Sequence, residues 1–308
     1  MEDYTPFRFD GVWLKGNLHC HSTVSDGVLE PRSVADLYRR NGYDFLALTD
    51  HEVMTDWTEL ETAGFTIVPG VETQVYDRAQ GRYYHVVGLH DRDVLPGRPL
   101  HLEIAGVSGY GAGAEAQDMI DRMRAMGMYT VLCHPVWSRT ELADFEHLSG
   151  YQAIEVYNHG CHVECNTGHA GIYWDSILRR GKRVWAVATD DSHHRINDSL
   201  GGWVMVKAQI AGLSSILRAL CEGKFYSSTG PRILDFGVTG GTVFVNCSPV
   251  REIHFVSYER RGKSHVCRPG ELLCQAQHVL TGDERYVRVE CVDDQGRKAW
   301  TNPVYVSG

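Results

Sequence analysis

Nowhere does the 308-residue sequence hold an apolar run of the roughly 18 to 20 residues that a bilayer-spanning helix needs. Its first residues, MEDYTPFRFD, lack a basic segment followed by an apolar one, so no secretory leader is expected. Positive charge is also scarce: 30 Lys and Arg stand against 39 Asp and Glu, a net charge of −9. General affinity for a nucleic-acid backbone rests on clustered Lys and Arg, so neither polymeric nucleic acid nor a membrane is an expected partner. Small anionic substrates stay open, because a metal or a local Arg overrides the net field. The nine cysteines are odd in number and irregularly spaced. That suits reduced thiols in the cytoplasm better than a disulfide framework.

What is present reads as an ordinary folded chain. Hydrophobic residues make up 43% and charged residues 22%, enough for a sizeable core. The length fits one α/β barrel with a small second domain, or two ordinary domains. Up to about residue 223, β-rich runs alternate with helical runs. The expected strands are Val12–Leu18, Phe45–Leu48, Thr66–Val71, Tyr83–Leu89, Thr130–Cys133, Ala153–Tyr157, Val184–Ala188 and Trp203–Val206. The expected helices are Pro31–Arg40, Glu115–Met126, Tyr173–Arg180 and Leu213–Glu222, each followed closely by Gly. Such alternation favours a parallel sheet, either a closed barrel or an open doubly wound one. Residues 91–114, with two prolines and five glycines, suggest a flap. Beyond Ser227-Ser228-Thr229-Gly230-Pro231 the helical period disappears. Residues 1–231 therefore read as the α/β unit, and 232–308 as a small antiparallel β domain of unassigned role.

Histidine is unevenly placed. Thirteen of the sixteen lie between His19 and His194. His19 and His21 follow the first strand as H-x-H, with Asp26 five residues on. Asp50-His51 end the second strand, Glu72 the third, and His134 the fifth. His85 lies within the fourth, and Asp191-Ser192-His193 follow the seventh. In H-x-H on extended chain both imidazoles project to one side, because the side-chain period is two. Strand C-terminal ends are where α/β barrels build active sites. A lone His at a strand end is more often a hydrogen-bonded polar residue than a ligand. Nine residues arriving in strand-end register are not explained that way. His19, His21, Asp26, His51, Glu72, His85, His134, Asp191 and His193 are too many for one ion, since zinc takes about four ligands and related ions up to six. The set suits two or three divalent ions sharing a carboxylate.

These motifs together resemble the polymerase and histidinol phosphatase (PHP) superfamily. The series runs Asn17-Leu18-His19-Cys20-His21-Ser22, Ser25-Asp26-Gly27, Thr49-Asp50-His51, Gly70-Val71-Glu72, His85-Val86-Val87-Gly88, Cys133-His134-Pro135 and Asp190-Asp191-Ser192-His193. The resemblance covers roughly residues 12–230. It implies a distorted (β/α)7 TIM-like barrel, here followed by the small all-β C-terminal domain. It also implies a trinuclear centre of Mn, Fe or Zn. By the same resemblance His19, His21, Glu72 and Asp191 would hold one ion. Asp26, His51 and His193 would hold a second, and Glu72, His85 and His134 a third. A metal-bridging hydroxide held by Glu72, Asp191 and His193 would attack phosphorus, making the protein a phosphoesterase acting on a small phosphorylated metabolite or nucleotide.

Other assignments follow from position. The D-x-H spacing selects Asp191 and leaves Asp190 to orient a ligand histidine. Arg195, two past His193, and Arg139, five past His134, are the candidate phosphate anchors. Asn158 and His159 are candidate rim residues. Cys161-His162-x-x-Cys165 lacks a second well-spaced ligand pair, so it reads as a loop with free thiols rather than a zinc site. Two other classes compete. An amidohydrolase-like C–N hydrolase also opens with H-x-H, but would end in a lone Asp. A non-catalytic partner-binding module would not need an intact ligand set.

Overall fold

A computed structural model describes residues 3–78, 80–93, 101–103 and 112–306. The expected flap falls mainly on 94–100 and 104–111, outside the described residues. The first half carries strands β1 (Val12–Asn17), β2 (Phe45–Leu48), β3 (Val53–Thr55), β4 (Thr66–Asp77), β5 (Arg82–Leu89), β6 (His101–Glu103) and β7 (Tyr129–Leu132). Next come β8 (Ala153–Asn158), β9 (Trp185–Thr189), β10 (Trp203–Ala208) and β11 (Phe225–Ser228). The helices are α1 (Pro31–Arg40), α2 (Ala112–Ala125), α3 (Leu142–Phe145), α4 (His159–Cys165), α5 (Gly171–Arg179) and α6 (Leu213–Cys221). After residue 231 every strand is antiparallel: β12 (Ile233–Thr239), β13 (Thr242–Val250), β14 (Glu252–Ser257), β15 (Lys263–Val266), β16 (Leu273–Val279), β17 (Tyr286–Val292), β18 (Lys298–Thr301) and β19 (Val304–Tyr305).

The fold is mixed α/β around one large sheet, whose strands run β15-β14-β17-β18-β11-β10-β1-β2-β4-β5-β7-β8-β9. Within it β1, β2 and β4 are parallel neighbours, as are β7, β8 and β9. Helices cross between most of them. Helix α1 begins with Pro at its first turn and ends before Gly42, whose φ of +74° suits a residue without Cβ.

One connection departs from strand-helix alternation. Residues 78–81 between β4 and β5 are far too few for a crossover helix, so these strands form a hairpin, and β5 runs antiparallel to both β4 and β7. Strand β4 also continues past Val71 to Asp77. Glu72 therefore lies within its strand rather than at the end.

The sheet curls so that β9 meets β11 through a side chain. The Ser227 hydroxyl donates to Ala186 O at 2.8 Å and accepts from Ala188 N at 3.0 Å. Inside the curl, Leu14, Leu18, Phe45, Val68, Val87, Val131, Val187 and Val204 form one core, which α6 joins with Leu213, Ile216, Leu217 and Leu220. The C-terminal strands are knitted to this unit. Strand β18 pairs with β11, and Tyr286 and Trp300 belong to the same apolar cluster as Trp174 and Ile177. Arg288 makes two 2.8 Å bonds with Asp175.

Candidate metal centre

Six imidazoles and two further carboxylates gather around Glu72. His19 Nε2 and His21 Nε2 each lie 3.2 Å from Glu72 Oε2. His51 Nδ1 lies 3.2 Å from the same oxygen. On the other oxygen, His85 Nδ1 stands at 2.7 Å and His134 Nε2 at 3.2 Å. Asp191 Oδ1 lies 3.0 Å from His21 Nε2 and 3.2 Å from His19 Nε2. Asp26 Oδ1 lies 3.3 Å from His193 Nε2 and 3.7 Å from His51 Nε2. The structure thus brings all nine sequence-selected residues together.

The chain geometry explains the convergence. The H-x-H alternation turns both rings the same way. Residues 22–26 are fixed by Asp50, which accepts from Ser22 N, Ser22 Oγ and Ser25 Oγ at 2.8 Å each. His85 arrives by a different route. Because β5 runs backwards, Val87 lies opposite Glu72 and His85, two residues earlier, lies opposite Gln74 in the β4–β5 register.

Donor atoms within 4.8 Å of one another form three groups: His19, His21, Glu72 and Asp191; His21, Asp26, His51 and His193; and His19, Glu72, Cys133 and His134. Among the described residues the buried atoms His21 Nδ1, His51 Nδ1 and His85 Nε2 make no hydrogen bond of good geometry. Lone-pair donors facing one another, with orphaned ring nitrogens among them, are costly unless a cation or proton sits between them. The donor set is the N/O mixture that divalent transition ions take.

Electrostatics agrees. Burial pushes Glu72 and Asp191 up, but the charges of His19 and neighbouring imidazoles overcome it and hold both carboxyls far below the usual range. Burial likewise pushes His21 down, but bonds to Asp191 and Glu72 raise it to about 9. His51 goes the other way: burial and the neighbouring His21 and His85 lower it to about 4.

A buried carboxylate behind the cluster escaped the sequence reading. Glu155, on β8, accepts from Thr189 Oγ1 at 2.7 Å, His134 N at 2.8 Å and Asn158 Nδ2 at 2.9 Å. Its Oε1 also lies 2.7 Å from His19 Nδ1. The signal was a Glu inside an apolar strand, Ala-Ile-Glu-Val-Tyr, with no motif around it. Asn158 does more than line a rim. Its Nδ2 also donates to Asp191 Oδ2 at 3.1 Å, and its Oδ1 caps α4 by accepting from Cys161 N at 2.9 Å.

Three expectations need correction. Asp190 orients no ligand histidine. It binds Tyr38 OH at 2.7 Å, Asn17 Nδ2 at 2.9 Å and the amides of Leu200, Gly201 and Gly202 at 2.8 Å each, fixing the turn before β10. Cys161 to Cys165 is a helix rather than a loop. Gly160 lets its first turn approach closely, since a Cβ there would stand 2.9 Å from the carbonyl oxygens of Asp190 and Asp191. Arg139 is exposed in a left-handed turn with φ +59°, and it does not line the cavity over the cluster.

That cavity encloses about 410 Å³. Arg195 lines it and contacts the Asp26 carbonyl, with its guanidinium 3.6 Å from the Asp26 carboxylate. The opposite wall is aromatic. Tyr83 and Trp137 have ring centroids 6.2 Å apart, and Trp137 lies 5.1 Å from the His134 ring. Trp137 Nε1 donates to Glu164 Oε2 at 2.8 Å, linking β7's following turn to α4.

Comparison with known proteins adds to this geometry. No protein-family model matches the chain. A 5'-3' exoribonuclease of Haemophilus influenzae is 40% identical over 80 residues, 25% of this chain and 28% of that protein. A phosphoribosyl 1,2-cyclic phosphate 1,2-diphosphodiesterase of Eggerthella lenta is 32% identical over 115 residues, 36% of this chain and 43% of that protein. The chain thus spans less than half the length of these relatives. Among solved structures, a two-domain protein from Bacteroides vulgatus, described as containing a PHP-like metal-dependent phosphoesterase, aligns over 96% of this chain and 97% of that one. Its TM-score is 0.50 at 15% identity. The shared fold extends through the C-terminal strands.

Proposed function

We propose that this chain, a member of the PHP superfamily by its fold and motif series, is a metal-dependent phosphoesterase acting on a small phosphorylated metabolite or nucleotide. The observation that carries this reading is the gathering of nine buried or half-buried ligand side chains, Glu72 at their centre, beneath a cavity. Two or three divalent ions of the Mn, Fe or Zn type fit the donor set, with Glu72 the carboxylate shared between groups. Bound there, the ions would supply an activated water near neutral pH and neutralise developing phosphoryl charge.

The chain's own residues do the rest. His19 and His21 are held with Nε2 toward the cluster, His19 by Glu155 behind it. Asp26 and His193 close the solvent side. Arg195 stands where it can donate to a phosphate oxygen while remaining tied to Asp26. Tyr83 and Trp137 offer a face for the apolar or planar part of a substrate. The cavity volume suits a small molecule. The name of the Haemophilus relative places a nucleic-acid end among the substrates to be tried. Among the described residues no helix is long and apolar enough to cross a membrane. A cytoplasmic location, where nine free thiols stay reduced, is part of the proposal.

The test is phosphoester hydrolysis by Mn²⁺-loaded protein, read as released inorganic phosphate for monoesters and as released monoester or nucleotide for diesters. The panel holds nucleoside mono- and bisphosphates, sugar phosphates, histidinol phosphate, cyclic phosphodiesters and short oligonucleotides. Chelator-sensitive turnover of one class supports the reading and names the substrate. No release from protein shown to hold its metals overturns it in favour of C–N hydrolysis or a partner-binding role.

A further inference from the structure

A second cavity, of about 650 Å³, lies between the end of α5 and the C-terminal strands, away from the metal cluster. Arg183 enters it from the segment before β9, and Arg261 and Arg285 from the C-terminal side. Arg261 is already satisfied, because its guanidinium lies 3.0 Å from the Asp283 carboxylate. Arg183 and Arg285, both exposed, have no such ion pair among the described residues. Each guanidinium lies over a tyrosine ring, Arg183 over Tyr305 at 4.8 Å and Arg285 over Tyr258 at 4.3 Å. Nearby Arg288 shows the contrast, since Asp175 holds it through two bonds.

Stacking on a ring fixes the face of a guanidinium and leaves its N–H edge for an acceptor. Two further features point the same way. Tyr305 lines this cavity, and its buried hydroxyl makes no hydrogen bond of good geometry. Arg285 has a φ of +51°, a conformation that costs a non-glycine residue energy and that the surrounding turn must enforce. The backbone at 284–286 is thereby bent so as to set Arg285 on Tyr258.

We propose that this cavity binds a small dianion of the phosphate class, with Arg183 and Arg285 as its two cationic arms and the Tyr305 hydroxyl as a third donor. The site is independent of the metal cluster, and its occupant bridges residues from both sides of position 231. Inorganic phosphate released by a hydrolase and a phosphorylated effector share this chemistry.

The test is calorimetric titration of inorganic phosphate into full-length protein stripped of metal, at matched ionic strength, so that the metal centre does not compete. Saturable binding at a single site is expected. Arg183→Ala and Arg285→Ala should each weaken it about tenfold, the worth of one charge-assisted bond. Arg183→Lys, which keeps charge but loses the fork, should fall between. Arg195→Ala, in the other cavity, should leave binding unchanged. A sugar phosphate titrated in parallel separates the sources: tighter binding than phosphate marks an effector site, weaker binding a product site. Absence of saturable binding in the stripped protein overturns the proposal. So does binding that survives both alanine variants, or that is lost on Arg195→Ala alone.

Discussion

His19 Nδ1 lies 2.7 Å from Glu155 Oε1, and this contact decides that Nε2 is the nitrogen His19 turns toward Glu72 and Asp191. The same carboxylate takes the backbone amide of His134, so two ligand positions depend on one buried charge. Carboxylates placed behind metal-binding histidines commonly fix the tautomer and raise ligand basicity.

Replacing Glu155 should therefore act through its neighbours. Glu155→Gln is expected to weaken metal affinity about 10- to 100-fold while leaving the fold intact. Glu155→Ala also strands the Thr189 hydroxyl and His134 amide, at a cost on the order of 3 kcal/mol. Chelator-competition titrations and thermal unfolding read the two effects separately. Unchanged metal affinity in the Gln variant would show that the contact is structural alone.

Asp191 belongs to the group with His19, His21 and Glu72, and Asn158 tethers its second oxygen. Asp191→Asn keeps the shape and removes the charge. It should abolish bound metal and activity, with a melting temperature within about 5 °C of the unaltered protein. A variant with full activity and a full metal complement would sink the assignment.

The metal-free protein should lose stability as pH rises. His21 in the fold holds its proton to about 9, whereas an unfolded His releases it near 6.5. A base whose pKa is raised by folding contributes its full stabilisation below about 6.5 and loses it as pH climbs toward 9. Metal binding reverses the trend, because ligands must be deprotonated and affinity grows with pH. Scanning calorimetry at pH 6, 7.5 and 9, with and without chelator, checks this. A falling melting temperature is expected in the stripped protein alone.

Removing residues 232–308 should yield insoluble protein rather than a working barrel. Strand β18 covers β11, and Asn302 bonds Ala186 N, Gly223 O and Phe225 O. Trp300 and Tyr286 also fill the cluster around Trp174. Truncation would expose a strand edge and an apolar face together. Soluble truncated protein with phosphatase turnover would show instead that the α/β unit stands by itself.

Much of the site was legible because its signals are local. His19 and His21 share a face through the two-residue period of extended chain. Asp50-His51 and His134 sit just past apolar strand runs. Pro31 is the first residue of α1, and Gly42 follows its C-cap Asn41. Other features carried at most a faint local signal. Glu155 looks like any acidic residue until the buried β8 is seen around it. Arg139 sits near His134 in sequence, yet the left-handed turn at 139 carries it to the surface. The thiol-rich segment at 161–165 became a helix because Asn158 capped it.

The sequence by itself determined which side chains could bind cations and roughly which strands would bear them, because residue type and short-range periodicity are properties of the chain alone. Only the tertiary structure decided that β5 runs backwards to deliver His85, that Asp190 serves a turn while Asp191 faces the cluster, and that the last strands extend the sheet through β11. The first depends on the short β4–β5 hairpin, and the other two on pairings between residues far apart in the chain. Such pairings are settled by burial and hydrogen-bond satisfaction across the whole fold, where no local pattern records them.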